Sequence, residues 1–111
     1  MTLLYLNSDK MGEGDTVLGR KLMASFLREV AKSDVKVDLI GCVNSAINLT
    51  TEGSEVADSL KAIQEKGAMI ASCGTCLDHY KKREKLVIGE IGSMDMTVKI
   101  MATADRVIRP N

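Results

Sequence analysis

"GAMIASCGTCLDHY", Gly67 to Tyr80, decides how the rest of the chain is read. Its first part, Ala68 to Ser72, is a short apolar run that follows a glycine, the pattern of a buried strand. The run ends directly in Cys73-Gly74-Thr75-Cys76, two thiols separated by a turn-forming pair. A strand that stops at reactive side chains marks one edge of a sheet as the functional edge. The segments on either side show which kind of sheet it is.

Upstream, Ser54 is a helix cap, Val56, Leu60 and Ile63 recur on one helical face, and Lys66-Gly67 closes the helix. Before that lies "NSAINLTTEGS", a polar loop with a short apolar patch. Val35 to Val43 reads as a second strand and Leu3 to Ser8 as the first. Between those strands, the Gly-rich loop "DKMGEGD" leads to a helix capped by Asp15 or Thr16. Its apolar face is Leu18, Leu22, Met23, Phe26, Leu27 and Val30. Downstream, Lys85 to Ile91 is a fourth strand, Met94 to Ala104 a helix, and "DRVIRP" a closing strand. Strands alternating with helices predict an α/β domain, a parallel sheet with helices on both faces and right-handed crossovers. No linker or repeat interrupts residues 1–111, so one three-layer, Rossmann-like domain is expected. In such sheets functional groups gather at the carboxyl ends of the strands. The Gly-rich loop, "NSAIN" and the CxxC all fall there. They predict a pocket lined by Met11, Gly12, Asn44, Ser45, Gly74, Thr75 and His79 around the two cysteines.

Composition narrows the chemistry. The chain has 111 residues, 15 basic and 15 acidic, with no Trp and no basic stripe, so a nucleic-acid surface is not expected. "YKKREK" reads as a solvated turn. No apolar run reaches membrane-spanning length and no signal peptide is legible. Three cysteines without an export signal point to reduced thiols and a cytoplasmic protein. Seven Met among few aromatics indicate an aliphatic, Met-filled core. The loop "GEGD" matches neither Gly-x-Gly-x-x-Gly nor a P-loop, and Glu13 and Asp15 would repel phosphate. No cofactor is expected.

Four readings of the CxxC follow from its residues. A dithiol redox pair uses a helix start to stabilise a thiolate. The only proline is Pro110, so the cis-proline of a thioredoxin fold has no candidate. A metal site would draw on Cys73, Cys76 and His79 but lacks an evident fourth ligand, so no metal is expected. A sulfur carrier would use a strand-end thiolate as nucleophile and hold a persulfide, with the backbone N–H groups of Gly74, Thr75 and Cys76 around the anion. The fourth reading is structural, since free cysteines commonly fill core space; it is the favoured one for Cys42, which ends "VDLIGC".

"NSDKMGEGDTVLGRKLMASFL", "VNSAINLTTEGSEVADSLKAIQEKGAMIASCGTCLDHY", "KLVIGEIGSM" and "ADRVIRP" together resemble the C-terminal domain of YedF-type proteins, within the DsrE/DsrF-like family. The likeness runs in order through nearly the whole chain. It implies a five-stranded Rossmann-like sheet and sulfur-relay or sulfurtransferase-like chemistry, with Cys73 as the persulfide site and Cys76 three residues on. It also implies a homo-oligomer, a trimer or hexamer, and an association with selenium metabolism. YedF-type proteins usually begin with a TusA-like domain. This chain opens on its first strand, so the expected donor or acceptor is a separate, TusA-like protein. Cys42 and "IGSMD" depart from the family pattern near the site. Position along the helix favours Cys76 as the more acidic thiol, whereas alignment with relay proteins favours Cys73. Apolar residues available to an interface are Met11, Ile47, Leu49 and "SMDMTVKIM".

Overall fold

The computed structural model describes residues 1–111. Its order is β1 (Thr2–Leu6), α1 (Thr16–Lys32), β2 (Leu39–Cys42), a 3-10 turn (Asn44–Leu49), α2 (Ala57–Glu65), β3 (Met69–Cys73), α3 (Gly74–His79), a second 3-10 turn (Arg83–Lys85), β4 (Glu90–Gly92), α4 (Met94–Thr103) and β5 (Arg106–Ile108). The strands form one sheet in the order β4-β3-β2-β1-β5, and every pairing is parallel. The predicted α/β class and its five-stranded Rossmann-like sheet are therefore the observed ones.

Strand alternation divides the sheet into two unequal faces. Leu4, Leu6, Ile40, Cys42 and Ile70 point to one side and join Met23 and Leu27 of α1, Leu60 and Ile63 of α2, and Leu77 of α3 in a single buried cluster. Each of these large side chains contributes about 1.5–3 kcal/mol by leaving water. The opposite face carries Leu3, Tyr5, Leu39, Gly41, Ala71 and Cys73, covered by α4. This layer is thin: α4 has no buried residue, and Met94, Met96, Val98 and Met101 are exposed.

Local chemistry explains where elements start and where expectations shift. Asp15 caps α1 by accepting the Leu18 N–H at 2.7 Å. The buried stripe of α1 is Gly19, Met23 and Leu27, and Leu18 and Leu22 face solvent. The reason is Gly19, whose carbonyl accepts the Met11 N–H at 3.0 Å, so the loop after β1 packs on that side. Ser54 does not cap α2. Its hydroxyl donates to the Leu49 carbonyl at 2.6 Å and accepts the Val56 N–H, and the helix starts beyond it. β2 begins only at Leu39, and the Asp38 side chain before it accepts the Thr2 N–H at 2.7 Å. The "NSAIN" segment is helical rather than an open loop, and Ile47 and Leu49 are core, not interface. Met11 likewise packs against the core cluster.

The expected fourth strand, Lys85 to Ile91, is only its last part. Leu86 bridges antiparallel to Thr51, and the chain then bends at Gly89 with φ +77° before pairing with β3. A Cβ at Gly89 would meet the Ile70 carbonyl oxygen at 2.4 Å. Gly89→Ala should lower stability by about 2–4 kcal/mol, combining left-handed strain with a backbone clash. Gly53→Ala, at φ +88° but in open space, should cost only about 1 kcal/mol. Urea midpoints of the two variants check this; equal losses would refute the role given to the Gly89 approach.

Candidate functional site

Parallel pairing brings the carboxyl ends of β2 and β3 side by side, with Cys42 opposite Ser72. The chain leaving β2 turns at Asn44, whose backbone is left-handed at φ +53°. Asn and Asp tolerate this region best among non-glycine residues. The turn aims the Asn44 N–H at the Cys76 Sγ, 3.1 Å away. The Asn44 side-chain oxygen accepts the Tyr80 hydroxyl at 2.9 Å, which ties the turn to the end of α3. Below them, Ser72 and Thr50 share a buried hydroxyl bond of 2.6 Å, and Thr50 also donates to the Ile47 carbonyl. The segment that carries Asn44 is thus fastened to the strand that carries Cys73.

The three thiols are free and have different surroundings. Cys42 is buried in the core, and burial pushes its pKa up to about 12. Cys73 caps α3 from the end of β3 and is half-buried. Its sulfur takes no capping bond from the backbone amides of the helix start, contrary to expectation. α3 is also only six residues long, so it offers little dipole. Cys76 is half-buried, and its pKa lies above the ordinary thiol value. Partial burial is the main cause and the neighbouring Cys73 thiol adds to it, while the Asn44 N–H acts in the opposite sense and does not prevail. Its place in the helix therefore does not make Cys76 more acidic than an ordinary thiol.

The two cysteines open on different spaces. Cys76 lines a cleft with Asn44, Thr75, His79 and Tyr80. Cys73 lines a cavity of about 50 Å3 between the sheet and α4, walled mainly by apolar groups of Tyr5, Leu39, Val43, Met94, Met96 and Ile100. Of the residues expected around the thiols, Asn44, Thr75 and His79 line the cleft at Cys76. Gly74 is buried behind them, where a Cβ would press on Arg83 and Ile91. Ser45 turns away and accepts the Asp9 N–H at 3.1 Å. Gly12 lines a separate cleft with Asn7, Lys10 and Asn111. The Gly-rich loop is drawn off by its bonds to Gly19 and to Asn111, so it does not wall the cysteines. Sequence reasoning missed Tyr80 and α4. Tyr80 had a signal, an aromatic hydroxyl one turn after Cys76; the cavity wall had none, because it is made by distant segments.

No group of three or more His, Cys, Asp or Glu side chains stands close enough to hold a metal ion. No helix is long and apolar enough to cross a membrane.

No protein-family model matches the chain, and no curated protein matches it. Solved structures do. The YchN protein from Escherichia coli superposes with a TM-score of 0.70 at 15% identity, over 98% of this chain and 99% of that one. MTH1491 from Methanobacterium thermoautotrophicum, a protein of unknown function, gives 0.65 at 19% identity, over 98% and 97%. The chain shares the DsrE/DsrF-like fold of these proteins; at such identities the likeness is one of fold.

Two outcomes check this geometry. Tyr80→Phe frees the Asn44 turn and should raise the Cys76 pKa further, by loosening the one amide that favours its thiolate. The pH dependence of Cys76 alkylation, followed by peptide mass, reads the change, and an unmoved profile would show that Tyr80 does not hold the amide in place. For Cys42 the sign is set by a folded pKa of about 12, above the unfolded value of about 8.5. Its contribution to stability is full below about pH 8.5 and is lost as pH rises toward the folded value, by up to about 1.4 kcal/mol per pH unit. Cys42→Ala should flatten the alkaline loss relative to wild type in urea titrations at pH 8 and pH 10; parallel losses would contradict the assignment.

Proposed function

We propose that this protein is a cytoplasmic sulfur carrier that holds a persulfide on Cys73, with Cys76 as its partner thiol. The observation that carries the proposal is the pairing of two free thiols one helical turn apart at the carboxyl edge of the sheet. One lies in the wall of an apolar cavity and the other lies under a backbone amide. The reading agrees with the DsrE/DsrF-like fold and with the YedF-type sequence resemblance. Sulfur is the proposed cargo, with selenium as its chemical analogue.

Loading needs no outside oxidant. The Cys73 thiolate attacks the terminal sulfur of a donor persulfide, R–S–SH. The donor S–S bond breaks, R–S⁻ leaves with the electron pair, and Cys73–S–SH forms with the proton retained on the outer sulfur. Cys76 can then act on it in two ways. Attack on the outer sulfur moves the sulfur to Cys76, and attack on the inner sulfur releases hydrosulfide and leaves a Cys73–Cys76 disulfide. A Cα separation of about 5 Å across one helical turn lies within disulfide range, so a dithiol redox role is the second reading.

The proposal extends to partners. A separate donor or acceptor protein, TusA-like in type, would present its thiol at the Cys76 cleft. The exposed Met94, Met96, Val98 and Met101 of α4 are the surface we assign to homo-oligomer contacts, in a trimer or hexamer.

Intact-mass spectrometry after brief exposure to a sulfane donor should show gains of about 32 Da per sulfur, abolished in Cys73→Ser and retained in Cys76→Ser. No gain in wild type would refute the carrier, and a loss of about 2 Da would put the disulfide reading first.

A further inference from the structure

We infer that the cavity beneath α4 is the holding site for the transferred sulfur, and that its size limits the cargo on Cys73 to one or two sulfur atoms. The inference rests on the carrier reading above and gives that site its substrate class: short, uncharged sulfane sulfur. Three observations meet at this point. First, strand alternation puts Cys73 on the same face as Ala71 and Met69, and Cys73 forms part of the cavity wall. Second, the cavity exists because the sheet carries almost no side chain there. Gly41 and Ala71 are register partners, and Gly92 pairs with Cys73 on the other side. At Gly41 a Cβ would meet only Leu3 Cδ1 at 3.8 Å and Tyr5 Cδ1 at 4.0 Å, so the space is open to a methyl group. Third, the lining contains no Lys, Arg, His, Asp or Glu.

These features select the occupant. A volume of about 50 Å3, on a scale where one water takes about 10–15 Å3, holds one or two sulfur atoms and not a longer chain. An apolar wall penalises an unpaired anion, so the persulfide is held in its neutral S–SH form. The Met94 and Met96 thioethers in the wall are soft, polarisable neighbours for sulfur. Held neutral, the outer sulfur keeps its sulfane character for attack by an incoming thiolate. α4 lies over the cavity on the outer side of Cys73, whereas Cys76 stands beside Cys73 and faces the open cleft. Cys73 therefore stores the sulfur and Cys76 exchanges it.

The test loads full-length wild type, Gly41→Ala and Gly41→Val with a small-molecule persulfide donor. It maps the adduct to Cys73 by peptide mass and follows cyanolysis, in which cyanide removes the outer sulfur as thiocyanate and regenerates the Cys73 thiol. Wild type should stop at one or two added sulfurs on Cys73 and lose them to cyanide at least tenfold more slowly than the urea-unfolded protein. Gly41→Val should cut loading at least fivefold or bring cyanolysis close to the unfolded rate, while alkylation of Cys76, which opens on the other cleft, stays within twofold of wild type. Gly41→Ala should fall between, and it decides the matter alone where Gly41→Val does not fold. If wild type loads but the Gly41 variants load and react identically to it, or if sulfur chains of four or more build on Cys73, the cavity is not the holding site and the carrier reading stands. If wild type takes up no sulfur at all, both fall together.

Discussion

Parallel strands impose the constraint on which the site depends. Because β1 to β5 all run the same way, each connection crosses from one end of the sheet to the other, and every strand delivers its last residue to the same edge. Cys42 with the turn at Asn44, and Cys73 from the next strand, meet there although they come from different segments. The edge is then made rigid locally. The Ser72–Thr50 bond of 2.6 Å lies in a fully buried position, where an unmatched hydroxyl would be costly. The pair therefore fastens the 3-10 turn to β3 and sets the position of the Asn44 amide against Cys76. No buried side-chain polar atom lacks a partner, so this edge carries its polar groups without an unpaired cost.

The two sheet faces are packed differently. The face under α1 and α2 is filled by Leu, Ile and Met and holds the fold together. The face under α4 is built from Gly41, Ala71 and Gly92 beside Leu3 and Tyr5, and its covering helix buries none of its residues. Filling a face with glycine and alanine gives up packing energy, and a cavity lined by methionine is what results. Cys42 and Cys73 end adjacent strands, yet alternation sends Cys42 into the filled face and Cys73 toward the open one. One residue of register separates an inert core thiol from a candidate nucleophile.

Much of this was legible in the sequence because it depends on local pattern. The order of strands and helices, the cap at Asp15, the core position of Cys42 and the placement of the CxxC at a strand end follow from periodicity and turn chemistry over a few residues. The failures have a different origin. Leu18 and Leu22 fit a helical apolar stripe, but the loop packed on Gly19 decides which side of α1 is inside. Ile47 and Leu49 sit among polar residues, and only the short 3-10 turn directs them into the core. The Gly-rich loop lies after β1 as expected, but its bonds to Gly19 and Asn111 draw it from the cysteines. Each miss depends on contacts between segments far apart in sequence, which periodicity does not encode.

The unequal surroundings of Cys73 and Cys76 bear on how a CxxC could work without a long helix behind it. In a longer helix the backbone dipole would favour the thiolate at its first turn. Here α3 has six residues, and the only amide placed on a thiol of this pair from another segment is that of Asn44 on Cys76. That single donor does not offset burial, and Cys76 stays harder to ionise than an ordinary thiol. Such a thiol is a poor first nucleophile at neutral pH, but it is well placed to receive a sulfur from its neighbour once a partner or a rise in pH draws off its proton. Intrinsic nucleophilicity rises with pKa, so a thiolate formed there would attack faster than one from a more acidic cysteine. In the carrier proposed above, a protonated Cys76 would leave Cys73 to load first and would delay the step that expels the sulfur as hydrosulfide.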